Sequence, residues 1–254
     1  EGVRYHLSGD ARDFDGDGDL DLLLCASSNS TNSLSSALLL NDGSGVFTES
    51  VAGTFPTQME SRELVCQQAQ VVDADGDGDP DVIASLRGGP VEQIPNDNRD
   101  RVLINNGAGR FTMMPVDAMP PRVLTPKMDM MAYTTGDFDG DGLDDVMASG
   151  SVPTYDDRPA VQFFRSLGNG RFEDRSAYLF NEWPENSYIF KLDSLDFDGD
   201  GRRDLMARSI IGFRLGPDEE PRIELMLNRG DQWVPMGVRL GTDISIVANA
   251  AFPL

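Results

Sequence analysis

The chain has 254 residues, 21 basic and 43 acidic, with a formal net charge of −22 at pH 7. That excess argues against nucleic-acid binding, which needs a basic surface, and against simple electrostatic attachment to anionic membranes. No run approaches the roughly 18 apolar residues of a membrane span, and a start at Glu1 rather than Met predicts a processed or trimmed chain.

Along the chain, a presumed first strand holding His6 leads into Asp13-Phe14-Asp15-Gly16-Asp17-Gly18-Asp19-Leu20-Asp21. The pattern Asp-x-Asp-Gly-Asp-Gly-x-x-Asp returns at Asp73 to Asp81, Asp137 to Asp145 and Asp196 to Asp204, with starts 60, 64 and 59 residues apart. Such spacing describes an array of units of about 60 residues, each built on a carboxylate cluster. The four loops contain 19 of the 43 acids, a concentration of like charge that needs a counter-ion.

Oxygen-only donors favour calcium over softer metals. The candidate side-chain ligands are positions 1, 3, 5 and 9: Asp13, Asp15, Asp17 and Asp21; Asp73, Asp75, Asp77 and Asp81; Asp137, Asp139, Asp141 and Asp145; Asp196, Asp198, Asp200 and Asp204. Position 7 is Asp19, Asp79, Leu143 or Arg202, and neither leucine nor arginine can ligate a cation by its side chain. Position 7 is therefore expected to contribute its backbone carbonyl. An EF-hand would close with a bidentate Glu at position 12, where this chain has Leu24, Ala84, Ala148 and Ala207, so that reading is rejected. Position 2 is Phe14, Ala74, Phe138 or Phe197 and is expected to point inward as a core anchor.

Short apolar stretches flank each loop, as Ala69 to Val72 and Val82 to Ser85 do, and read as a hairpin whose turn is the metal loop. Further on comes a Gly-rich turn before an aromatic residue: Asn41 to Phe47, Asn105 to Phe111, Ser166 to Phe172 and, degraded, Asn228 to Trp233. Each follows an apolar strand: Leu38 to Leu40, Val102 to Ile104, Val161 to Phe164 and Glu224 to Leu227. A unit is thus four antiparallel strands, which predicts an all-β chain of β-propeller blades over residues 1–60, 61–124, 125–184 and 185–240. Residues 241–254, with Ile244 to Ala250, read as a closing strand or the start of another blade.

The Asp-Phe-Asp-Gly-Asp-Gly core and the Asn-x-Gly-x-Gly-x-Phe turn resemble the FG-GAP/VCBS repeats of integrin α-subunit propellers and of many bacterial surface and secreted proteins. The resemblance covers nearly the whole chain and implies calcium at positions 1, 3, 5 and 9 by side chain and 7 by carbonyl. It departs in number, since integrin-type rings have more than four blades; a fragment or an atypical ring is expected.

Antiparallel order puts metal loops and Gly turns on one face and the remaining connections on the other. The connections Ser27 to Ser36, Arg87 to Arg101 and Ser149 to Pro159 differ between units, so a protein or glycan ligand is expected on the face opposite the calcium loops. Met113 to Met131 holds six of the 11 methionines and reads as gap-filling or as an adaptable contact surface. Asn181 to Tyr188, with Trp183, reads as an aromatic platform or as packing against a neighbouring blade. Arg229-Gly230-Asp231 spells a tripeptide that integrins recognise, and Asn29-Ser30-Thr31 fits a glycosylation acceptor; both matches are short.

His6 is the only histidine, which removes most His-dependent chemistry, and no nucleophile elbow, phosphate loop or zinc-protease motif occurs. The reading is a non-catalytic, calcium-binding module for extracellular recognition, adhesion or assembly. The alternatives are a carbohydrate-active lyase or hydrolase, or its accessory propeller, and a purely architectural block of a larger surface protein. Near-millimolar calcium places it outside the cytoplasm: extracellular, at the cell surface or periplasmic. Cys25 and Cys66 are compatible with one disulfide or with two buried thiols.

Overall fold

A computed structural model describes residues 6–26, 36–60, 64–88, 100–122, 132–151, 159–176, 187–211, 220–230 and 232–236. Among these residues sixteen strands form four sheets, each a four-stranded antiparallel meander in chain order. The first holds β1 (His6–Arg12), β2 (Asp21–Ala26), β3 (Ala37–Asn41) and β4 (Phe47–Glu49). The second holds β5 (Leu64–Val72), β6 (Asp81–Gly88), β7 (Arg101–Asn105) and β8 (Phe111–Met113). The third holds β9 (Tyr133–Gly136), β10 (Asp145–Ser151), β11 (Pro159–Ser166) and β12 (Phe172–Asp174). The fourth holds β13 (Ser187–Leu195), β14 (Asp204–Ile211), β15 (Glu220–Asn228) and β16 (Trp233–Met236). Among the described residues the helical content is one turn, α1 (Thr57–Glu60), and a 3₁₀ turn at Val116–Ala118.

Every Asp loop joins the first two strands of its sheet, and the first strands are longer than their apolar cores indicate. In β1, β5 and β13 the pairing skips one residue, Leu7, Gln67 and Phe190 respectively. Each skipped residue stands six positions before the first loop aspartate, so a bulge at one fixed place turns the strand as it approaches the loop.

The chain divides into two compact units: Glu1–Arg122 with Arg165–Glu173, and Val123–Phe164 with Asp174–Leu254. In the first, Phe14, Leu23, Leu38, Phe55, Val82, Leu103 and Phe111 share one buried cluster, with Phe55 stacked on Phe111 at 5.4 Å and Phe14 edge-on to it at 5.9 Å. Turn α1 adds Met59 to that cluster. A disulfide joins Cys25 on β2 to Cys66 on β5 across 41 residues of chain. Closing a loop of that length stabilises by about 4 kcal/mol through the unfolded state. In the second unit Phe138, Met147, Phe163, Ile189, Leu192 and Leu205 form the buried cluster. Phe138 meets Phe163 at 6.1 Å and Trp233 at 6.1 Å. Full burial of each such side chain contributes about 2–3 kcal/mol.

The segment read as a closing strand, 241–254, lies outside the described residues, as do 27–35, 89–99, 152–158 and 177–186.

Candidate metal centres

Each loop is shaped by its own aspartates before any ion is considered. The position 1 carboxylate accepts hydrogen bonds from both loop glycines. For Asp13 the donors are Gly16 N at 2.8 Å and Gly18 N at 2.9 Å. Asp73, Asp137 and Asp196 repeat these contacts within about 0.1 Å. Position 5 accepts the position 7 N–H at 2.9–3.0 Å in all four loops. The curl requires positive φ at both glycines, for example 77° at Gly16 and 95° at Gly18. Nothing lies within 4 Å of where a Gly18 Cβ would stand, so backbone conformation, not space, demands glycine there.

The position 9 aspartates, Asp21, Asp81, Asp145 and Asp204, are completely buried. One oxygen of each accepts the position 2 N–H, at 2.9, 2.9, 3.0 and 2.8 Å in chain order. The other oxygen accepts the N–H of the first residue of the Gly turn in three sheets: Asn41 at 2.9 Å, Asn105 at 2.7 Å and Asn228 at 2.8 Å. Position 9 thus ties loop entry, strand and turn together, a role that its reading as a closing ligand missed. Burial pushes the Asp81 carboxyl up to about 7; the N–H groups of Asn105 and Ala74 pull it down, and Asp75 and Asp77 raise it further. Such a carboxylate favours a neighbouring cation.

Carboxylate oxygens that lie within 4.8 Å of one another come from Asp13, Asp15 and Asp17; from Asp73, Asp75 and Asp81; from Asp137, Asp139 and Asp145; and from Asp196, Asp198 and Asp204. Oxygens sharing one calcium at about 2.3–2.6 Å each lie no more than about 5 Å apart, so these sets fit that ion by type and separation. Desolvation, then neighbouring aspartates, raises the Asp15 carboxyl, and the same causes raise Asp75. The position 7 side chains Asp19 and Asp79 point instead at the Gly turn, where a Cβ on Gly43 or Gly107 would collide with them.

The Gly turn of one sheet also caps the loop of the sheet before it. Phe14 O accepts Asn105 Nδ2 and Gly109 N, both at 2.8 Å, and Phe138 O accepts Asn228 Nδ2 at 2.7 Å. Ala74 O accepts Gly170 N at 2.9 Å. The aromatic residues after these turns cover the same places, Phe111 over Phe14 and Trp233 beside Phe138.

The fourth loop departs from the other three. Phe197 is 37% exposed, whereas Phe14, Ala74 and Phe138 are 0–3% exposed, so the inward-anchor expectation fails there. Among the described residues no following Gly turn covers Phe197 as those of the second and fourth sheets cover Phe14 and Phe138. Arg229 Nη1 lies 2.6 Å from Asp198 and 3.0 Å from Asp200, and Arg202 also contacts Asp200. The Arg202 N–H, then the two guanidiniums, hold the Asp200 carboxyl below the usual range. Arg229 of the tripeptide is engaged within its own sheet, and Asp231 lies outside the described residues. Met119 is buried and Met113 packs on the first core, as gap-filling predicts, while 123–131 lie outside the described residues.

A family model for the FG-GAP-like repeat matches residues 13–84, 73–148 and 137–207, three overlapping stretches that each run from one Asp loop to just beyond the next. The chain belongs to the FG-GAP-like repeat family. No curated protein matches it. Among solved structures, one titled as a "putative exo-beta-1,3-galactanase" from Bifidobacterium bifidum s17 is similar at 13% identity and a TM-score of 0.49, over 94% of this chain and 74% of that one. The last matched stretch ends at 207, three residues past the fourth Asp loop and before Arg229.

Proposed function

We propose that this FG-GAP-like chain is a non-catalytic, calcium-stabilised module of extracellular recognition, adhesion or assembly. Positions 1, 3, 5 and 9 supply side-chain oxygens to each ion, and the carbonyls of Asp19, Asp79, Leu143 and Arg202 complete the set. A protein or glycan ligand takes the face opposite the calcium loops, where the connections differ in sequence. The observation that supports this reading most is the recurrence of a set of three mutually close carboxylates in the Asp loop of each of the four sheets. A turn that only needed shape would not gather so many anions.

The Cys25–Cys66 disulfide supports an oxidising compartment, where calcium is also abundant. No helix among the described residues is long and apolar enough to cross a membrane. Having His6 as the only histidine supports the non-catalytic reading.

Screening on glycan and protein arrays beside polysaccharide-degradation assays tests the proposal. Saturable, calcium-dependent binding without turnover is the expected result. Release of unsaturated or reducing sugars would overturn the non-catalytic reading.

A further inference from the structure

The interlock of Gly turn over Asp loop has two halves, and each half is left open once. Three loops are capped by the turn of the next sheet: the position 2 carbonyls of Phe14, Ala74 and Phe138 accept N–H groups from Asn105 and Gly109, from Gly170 and from Asn228 respectively. The turns that make these bonds are buried by them. Asn105 and Asn228 are almost wholly buried, as are Gly109, Gly170, Phe111 and Phe172.

The first sheet's turn and the fourth sheet's loop are the two halves that remain. Residues 42–49 are all exposed, with Phe47 at 40% beside an exposed Val46. Asn41 Nδ2 reaches its own sheet, Leu20 O at 3.2 Å, whereas Asn228 Nδ2 makes the equivalent bond to Arg203 O at 3.1 Å and the bond to Phe138 O as well. A side-chain amide carries two N–H donors, so Asn41 keeps one for a carbonyl beyond its sheet. No described atom lies within 4 Å of where a Gly45 Cβ would stand, while Leu38, Leu40 and Asp15 crowd the same place at Gly109. On the loop side, Phe197 is 37% exposed and Leu195, two residues before it, is exposed, although Val72 at the same place in the second sheet is buried. Among the described residues no N–H donates to Phe197 O.

The open groups match. The turn offers a ring and an amide N–H, the loop a ring and a carbonyl, and these are the groups that meet where Asn105 and Phe111 cover Phe14. In the single chain both sets stay exposed, and both belong to every copy of it.

We propose that the Gly turn of the first sheet, residues 41–47, covers the fourth Asp loop of a second copy of this chain, with Phe47 against Phe197 and Asn41 Nδ2 on Phe197 O. Copies then associate head to tail, through a contact made of two different surfaces. The contact uses no loop carboxylate and so does not rest on the calcium reading.

Sedimentation velocity of the full chain in calcium, from micromolar to submillimolar protein, tests this. Wild type is expected to pass from monomer to larger species as concentration rises. Phe47→Asp and Phe197→Asp should each weaken association about tenfold or more, as loss of an aromatic anchor at an interface does, with circular dichroism showing both variants folded. An equimolar mixture of the two variants should recover a dimer, because each supplies the half that the other lacks; a surface that pairs with itself would not be rescued in this way. Wild type that stays monomeric throughout would overturn the proposal, as it would if the two halves were met by any other partner. So would variants that associate like wild type, or a mixture that stays monomeric while wild type associates.

Discussion

The first and fourth loops share a nine-residue backbone and four ligand-type aspartates, yet they are neutralised and covered differently. Phe14 is wholly buried under Phe111, while Phe197 is 37% exposed; Asp15 has its carboxyl raised by burial and by neighbouring aspartates, while Asp200 is lowered by hydrogen bonding and two arginines. The lesson is that the repeat specifies loop shape by itself, whereas burial and charge balance come from the Gly turns that meet each loop. The next sheet's turn covers position 2, and the loop's own sheet supplies Arg229.

Truncating position 2 should separate the two loops most strongly. Phe14→Ala should cost about 3–5 kcal/mol, as for other fully buried aromatics, and Phe197→Ala about 1 kcal/mol or less. Denaturant unfolding measures both, and equal losses would break the contrast. Removing the position 9 carboxylate should instead affect the loops alike. Asp21→Ala and Asp204→Ala each strand one buried and one half-buried N–H donor, so calcium-free unfolding should show similar losses of about 2–4 kcal/mol. A loss in one loop only would show that position 9 is a ligand first and a tie second.

The smallest expected effect is in titration. With calcium chelated, side-chain carbon NMR should place the Asp15 midpoint above 3.8 and the Asp200 midpoint below it. The signs of the stability contributions follow. Asp200 adds stability above its unfolded pKa, which is lost as pH falls through its lower folded value. Asp15 disfavours the chelated fold when ionised, and that penalty is relieved as pH falls through its raised folded value. Two midpoints on the same side of 3.8 would contradict the difference in charge balance.

Much of this was legible in the sequence because it is local. The Asp-x-Asp-Gly-Asp-Gly-x-x-Asp spacing fixes its own turn through the Gly16 and Gly18 N–H bonds to Asp13, and the Asn-x-Gly turns lie where strands β3 and β7 end. What stayed hidden depends on partners far along the chain. Asn105 reaches Phe14 across 91 residues, and Asp204 meets the N–H of Asn228 24 residues on. Position 2 of the fourth loop reads as the same Phe as in the first, and only its burial distinguishes it. Arg229 was visible as part of a tripeptide, but its reach to Asp198 and Asp200 required the turn's three-dimensional course. Cys25 and Cys66 could be paired only once β2 and β5 were placed side by side.

The most direct measurement is thermal unfolding of the full chain in millimolar calcium against excess chelator. At calcium ten times the dissociation constant, each filled site adds about 1.4 kcal/mol, so four sites add about 6 kcal/mol and raise the Tm by about 10–20 °C. A Tm that chelator leaves unchanged would contradict calcium as the ion these loops are built to hold.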